Sequence, residues 1–269
     1  MLRRLVPFAT ILVQHRSLLW QFTMRNVEIR HKGSYLGIVW PVLNPLLMLG
    51  VYVLVFGYIF GGSFGRVGET RLDYGLTIFL GLTIFHFAAE SLATAPGIII
   101  ANPNFVKKVV FPLEVLPAAN VGAAAVHLLI GLALMLVGAG MLGNGLTATA
   151  LWLPVIILPL VLLCLGLNWF FAALGVYLRD IGQLTQFLTL SLMFASAVFY
   201  PASRIPHEAW QFMRLNPFLI AIEQARSVVL WHEPARMNHM TYLYVSAFAA
   251  CALGHLVFRR LKPGFADVL

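Results

Sequence analysis

Five stretches of the chain carry no Lys, Arg, Asp or Glu: 33–65, 74–89, 115–178, 181–203 and 237–258. Roughly 20 consecutive apolar residues suffice for one helix to cross a bilayer. The run 115–178 is long enough for two such helices, with MLGNGLT (141–147) as the turn between them. The run 74–89 is short, but its apolar pattern continues past the single charge of Glu90 to Thr94. Six membrane spans are therefore predicted, at about 36–60, 73–95, 115–141, 150–177, 183–200 and 240–258. The predicted fold is an all-α integral membrane protein with a single transmembrane domain over 1–269. Within it, 1–35 forms cytoplasmic interface helices, 36–260 the six-span core and 261–269 a cytoplasmic tail.

Outside the spans the pattern changes. In 1–14, Leu5, Ala9, Leu12 and Val13 share one helical face. In 16–32, Leu19, Phe22, Val27 and Ile29 are mixed with Arg16, Arg25, Glu28 and Arg30. Both segments read as amphipathic helices lying in the membrane interface, apolar face down and cations up. Glu28 and Lys32 have the favourable i,i+4 order. A plain cationic anchor would have the same composition. Residues 96–117 hold four prolines, two lysines and an Asn-Pro that favours a turn, and short helices there could dock on a soluble partner. Residues 176–184, VYLRDIGQL, form a tight turn with Arg179 and Asp180 side by side. The longest segment between spans, 201–239, is unusually rich in aromatic and aliphatic residues. Asn216 can cap a helix with Pro217 at its first position. The segment reads as two short amphipathic helices broken at Asn216-Pro217, dipping into the outer leaflet or folding over a pore.

Composition supports the membrane class. Of 269 residues, 60% are hydrophobic and only 10% charged, where a soluble domain carries about 25% charged residues. An even span count puts both ends on one side. That side collects twelve of the eighteen Lys and Arg, so both termini are expected in the cytoplasm. The net charge of +8 is mostly this topology signal, because the basic residues frame apolar spans instead of forming a nucleic-acid-binding face. No cleavable signal peptide is expected. Cys164 and Cys251 both fall inside spans, as small core residues and not a disulfide.

Little reaction chemistry is present. There is no G-x-x-x-x-G-K-[ST], so the chain is not expected to hold its own ATPase site. No Cys/His spacing marks a metal site, and no nucleophile has an obvious base. His86 and Glu90 stand at i,i+4 in span two; a buried hydrogen-bonded pair is favoured over a metal or proton relay, although an ionisable residue within a span is a functional candidate by default. His127 reads as a packed polar residue. Aromatic residues make up 13% of the chain. Trp40, Tyr52, Phe56, Tyr58 and Phe60 lie in span one, and Phe187, Phe194, Phe199 and Tyr200 in span five. Interfacial belts and lipid-facing filler account for such residues. So does a stacking surface for the apolar faces of sugar rings, and the sequence leaves both readings open. Gly57 and Gly61 form a G-x-x-x-G that permits close helix approach. No internal repeat is evident, which argues against an inverted-repeat transporter.

Four motifs, in order and covering nearly the full chain, resemble one family. They are RNVEIRHKGSYLGIVWPVLNP at 25–45, NPNFVKKVVFPLEVLP at 102–117, YLRDIGQ at 177–183 with FYP at 199–201, and NPFLIAIEQAR at 216–226 followed by the terminal GFADVL. The chain resembles the permease subunit of ABC-type polysaccharide exporters, the O-antigen and teichoic-acid branch of the ABC type 2 permeases. It departs at Asn26, where Asp is usual, and at His31, where Tyr is usual. The resemblance implies a homodimer paired with two copies of a separate nucleotide-binding ATPase, which carries the ATP and Mg, while this chain holds no cofactor. It implies export of a lipid-linked, undecaprenyl-diphosphate O-antigen polysaccharide across the bacterial inner membrane through a channel between the two copies, chiefly along spans one and five.

On this reading Trp40, Tyr52, Phe56, Tyr58, Phe187, Phe194, Phe199 and Tyr200 line the channel. Arg25, Arg30, Lys107, Lys108, Phe111, Glu114, Arg179 and Asp180 meet the ATPase. Trp210, Asn216, Pro217 and Phe218 shape the external gate. Pro41, Asn44 and Pro45, within the hinge 33–45, bend the helix where it opens to lipid and free backbone groups that Asn44 can satisfy. A proline-capped helix start with Trp40 as an interfacial anchor is the alternative. Teichoic acid, capsule, or another lipid or drug are alternative cargoes. A membrane transferase acting on lipid-linked sugars would need carboxylates clustered at one membrane face, and the ten here are scattered. An ion channel would transport without ATP.

Overall fold

The computed structural model describes residues 7–31, 35, 37–66, 68–107, 111–143 and 145–269, and among these it holds helices and no strand. Two short helices come first, α1 (Pro7–Gln14) and α2 (Arg16–His31). A 3-10 turn, Gly37–Val39, leads into α3 (Trp40–Tyr52), which continues as the wider π-helical turn Val53–Ile59. Then follow α4 (Arg71–Thr94), α5 (Pro103–Lys107), α6 (Val115–Leu142), α7 (Leu153–Tyr177) and α8 (Ile181–Ala195). The chain closes with α9 (His207–Met213), α10 (Pro217–Val229), α11 (Met237–Leu261) and α12 (Phe265–Val268). Gly33, Ser34 and Lys108 lie outside the described residues.

Among the described residues, five helical segments are long and apolar enough to cross a membrane: Trp40–Ile59, Arg71–Gly97, Val115–Met141, Ala148–Tyr177 and Met237–Val268. The expected span five is shorter than the sequence suggested. Its helix has 15 residues, roughly 22 Å at 1.5 Å per residue, against a hydrocarbon core of about 30 Å. The apolar run continues to Tyr200, but the helix stops because Ala197 takes a left-handed conformation, φ 51°. An alternation of apolar residues cannot reveal such a break.

Packing is tightest between α7 and α11. A Cβ built on Gly254 would sit 1.9 Å from the Gly166 carbonyl oxygen. Small residues let membrane helices approach where no hydrophobic driving force separates protein from lipid. The same helices bury Cys164 and Cys251 as free thiols, and Trp169 stacks near His255 with ring centroids 4.9 Å apart. A buried amide network ties α4, α6 and α7 together. Asn120 Nδ2 donates to Ser91 O and to Asn168 Oδ1, each at 2.9 Å, and Asn168 Nδ2 donates to Cys164 O at 3.0 Å. Thr94 Oγ1 donates to Asn120 Oδ1 at 3.0 Å. Polar side chains act as glue between helices where water is absent.

α2 does not simply lie flat on an apolar face. Leu19 and Phe22 pack on the core, and Thr23 is buried so closely on α6 that a Cβ at Gly122 would lie 2.6 Å from its hydroxyl. Ile29, expected on the inward face, is exposed. The glycine pair of span one also divides its roles. Gly57 approaches the Arg71 carbonyl, where a Cβ would lie at 3.1 Å, whereas Gly61 has nothing near it and turns the chain with φ +57°.

Candidate substrate path and coupling surface

Three of the aromatic residues expected in a channel wall are brought together. Phe56 stacks on Phe199 at 5.3 Å, and Tyr52 contacts Phe56 at 5.9 Å and Phe199 at 6.4 Å. Phe60 extends the line, stacked on Phe56 at 5.7 Å. Offset ring pairs at such separations are favourable beyond their burial. Phe187 and Phe194 project outward from α8, both more than half exposed. Tyr200 donates its hydroxyl proton to Phe194 O. Tyr58 is not part of this line. It lies under the Arg71 guanidinium, 4.7 Å from the ring centroid, beside a groove lined by Leu46, Val53, Leu54, Leu72 and Leu76.

At the other end of span one, Pro41 stands in the first turn of α3, where its missing N–H costs nothing, while Pro45 lies inside the helix. Pro41, Asn44 and Pro45 form one wall of a cavity of about 510 Å³ between α3, α4 and α6, closed in part by Thr189 of α8. Trp40 and Tyr52 line it as well. The spacing had pointed Glu90 at His86. The structure sets the Glu90 carboxylate against His127 of α6, whose Nδ1 lies 2.9 and 3.1 Å from its two oxygens. His127 is thus a hydrogen-bond partner of Glu90 across two spans and not simply a packed polar residue. His86 faces the same cavity. No group of three His, Cys, Asp or Glu among the described residues is placed to hold a metal.

The segment between α8 and α11 is packed onto the bundle. Asn216 caps α10, its Oδ1 accepting from Phe218 N at 3.0 Å, with Pro217 in the first turn. Its Nδ2 donates to Ala195 O and Ser196 Oγ, both at 3.0 Å, so one side chain joins the end of α8 to the start of α10. Phe218 is buried, and Trp210 sits on α9 beside a shallow pocket with Ser203 and Ile205. Eleven of the thirteen residues of α10 are buried.

The residue that organises this corner was not among the candidates. Arg226 is fully buried. Its Nε donates to Thr77 O at 3.1 Å, one terminal nitrogen to Ala197 O at 2.8 Å and Glu223 Oε1 at 2.9 Å, and the other to Val198 O at 2.6 Å. Its guanidinium lies over Phe64 at 4.6 Å, and it fits because α4 has glycine at 81, where a Cβ would meet it at 2.6 Å. The planar five-donor fork suits this task as an ammonium would not. The signal in the sequence was the lone basic residue on the apolar face of Asn216–Arg226, at i,i+3 from Glu223.

At the α2 end, Phe22, Phe105 and Phe111 form a triad with centroids 5.5, 5.3 and 4.7 Å apart, joining α2 to α5. The Arg25 guanidinium lies over Phe22 at 5.6 Å. Lys107 ends α5, and Arg179 and Asp180 are exposed in the turn before α8. Arg30 is the penultimate residue of α2, its side chain outside the described residues. Glu114 is not at this surface. It is buried, paired with Lys262 at 2.9 Å, and its backbone carbonyl accepts from Trp169 Nε1 at 3.0 Å.

A bundle of apolar helices of spanning length has the build of a multi-pass membrane protein. The chain belongs to the ABC-2 type transporter family, whose pattern it matches over residues 17–230. It is therefore a membrane transport subunit, with ATP hydrolysis in a separate subunit. Among curated proteins it is similar to an O-antigen export system permease protein RfbA of Myxococcus xanthus, 29% identical over 95% of this chain and 96% of the relative. It is similar to the RfbA of Klebsiella pneumoniae, 24% identical over 94% and 95%. The polysialic acid transport protein KpsM of Escherichia coli is 24% identical over 88% of this chain and 90% of its own length.

Proposed function

We propose that the chain is the membrane subunit of an exporter that moves lipid-linked O-antigen polysaccharide out of the cytoplasm, through a channel between two permease copies. The observation that carries this reading is the likeness to O-antigen permeases along almost the whole chain. The architecture is consistent with it. α3 buries none of its residues within the protomer, and α8 leaves Phe187, Leu190 and Phe194 exposed. A second copy set against these faces would enclose the line of Tyr52, Phe56 and Phe199. In this assembly α8 and the turn after it act as a short sixth span, both termini are cytoplasmic, and the host is the bacterial inner membrane.

Two ATPase copies, binding ATP and Mg, dock on Arg25, Lys107, Phe111, Arg179 and Asp180. The α2–α5 aromatic triad would carry their closure to α3 through the hinge at Pro41, Asn44 and Pro45. Asn216 and its neighbours hold the external gate. Capsular polysaccharide is the second cargo, favoured by the likeness to the polysialic acid transport protein.

The test is reconstitution with the partner ATPase, followed by ATP-dependent delivery of undecaprenyl-linked glycan across the bilayer. Delivery that stops without ATP is the expected result. A complex that hydrolyses ATP and moves another lipid or a drug, but no glycan, would overturn the cargo and keep the family.

A further inference from the structure

We propose that the cavity between α3, α4 and α6 is a binding station for a neutral, polyhydroxylated sugar unit of the exported chain, a side chamber of the path and not merely a gap between spans. This rests on the polysaccharide-export reading. The cavity has about 510 Å³, within the range in which proteins hold small ligands with a few convergent polar groups. Trp40 and Tyr52 offer ring faces for the apolar C–H face of a pyranose. Glu90, bound to His127, offers carboxylate lone pairs, each oxygen having more than one acceptor site. Asn44 and His86 add donors and acceptors on the same walls.

Two other occupants fit less well. A hydrocarbon chain would match Met48, Leu82 and Leu128 but leave Asn44 and His86 facing hydrocarbon, which is costly. The chain shows what an aliphatic groove looks like on the far side of α3, where Leu46, Leu54, Leu72 and Leu76 provide the walls. A phosphate or diphosphate would find no Lys or Arg among the described residues that line the cavity. Glu90 and His127 also lie within spans α4 and α6, where ionisable groups are expensive and point to function.

The test uses the intact complex in exporting cells, with photoreactive p-benzoylphenylalanine in place of Met48, which lines the cavity, or in place of Leu54, which lines the aliphatic groove. Irradiation during export is expected to give a ladder of glycan adducts at position 48 and phospholipid adducts at 54. Glu90→Ala is expected to lower the glycan adduct about tenfold per assembled complex, as loss of a hydrogen bond to a charged group does, with Glu90→Gln losing less. Normal export with only phospholipid captured at position 48 would overturn the sugar site and leave the export reading standing. So would an adduct yield unchanged by Glu90→Ala. A wild-type complex that exports no glycan would instead remove the reading on which the site rests.

Discussion

α3 with its π-helical continuation and α4 are neighbours of similar length, both apolar enough to span a bilayer, yet 72% of the most apolar stretch of α4 is buried against 6% for span one. The difference lies in what each helix offers its neighbours. α4 presents Gly75 to Val53 and Gly81 to Arg226, each at a distance a Cβ would not allow. It also carries polar handles: the Thr77 carbonyl, the Ser91 carbonyl and Glu90, all engaged by other helices. α3 and its continuation are dominated by large side chains, with Leu47, Val51 and Leu54 exposed. Apolar character places a helix in the membrane, and small residues with polar handles decide whether the same chain covers it.

The strongest way to break the contrast is to remove what buries α4. Arg226→Ala leaves the Glu223 charge and the Ala197 and Val198 carbonyls without this partner, and stripping one member of a buried charged pair costs about 3–5 kcal/mol. The expected result is loss of folded complex, read as a large drop in unfolding temperature, and Arg226→Lys should not restore it because an ammonium cannot span the carbonyls. Asn216→Ala removes the α10 cap and both bonds to the end of α8. It should cost about 1–2 kcal/mol, the upper range for a helix cap, with the complex still assembled in a chemical denaturation series. Phe56→Ala should cost about 3 kcal/mol or less because Phe56 is only partly buried, and on the proposed path it should slow export more than Phe187→Ala slows it. Phe187→Ala, at an exposed position, should change protomer stability by less than about 0.5 kcal/mol, measured on the monomeric form in detergent.

Five of the spans were legible because uncharged runs of membrane length have few other uses, and the Asn216-Pro217 helix start followed from capping chemistry. The early end of α8 was not legible, because it depends on Ala197 adopting a left-handed turn held by Arg226, more than two dozen residues downstream. For the same reason the buried role of Arg226 was not legible. Tyr58 and Phe56 differ by two positions, and only the three-dimensional placement of α4 and α8 shows that one meets Arg71 and the other Phe199. Glu114 shares a proline-rich motif with Phe111, yet Lys262 at the far end of the chain draws it inward. Glu90 and His127 belong to different spans, so sequence spacing favoured the nearer His86.

Cysteine cross-linking in native membranes would show whether a second copy covers the bare faces of α3 and α8. In a background of Cys164→Ala and Cys251→Ala, single substitutions would be compared at equally accessible positions: Leu47→Cys and Val51→Cys on α3, Phe187→Cys and Leu190→Cys on α8, and Leu129→Cys and Val245→Cys on α6 and α11. The account predicts disulfide-linked or short-linker dimers from α3 and α8, and monomers from α6 and α11. Dimers from α6 or α11, with α3 and α8 remaining monomeric, would contradict it.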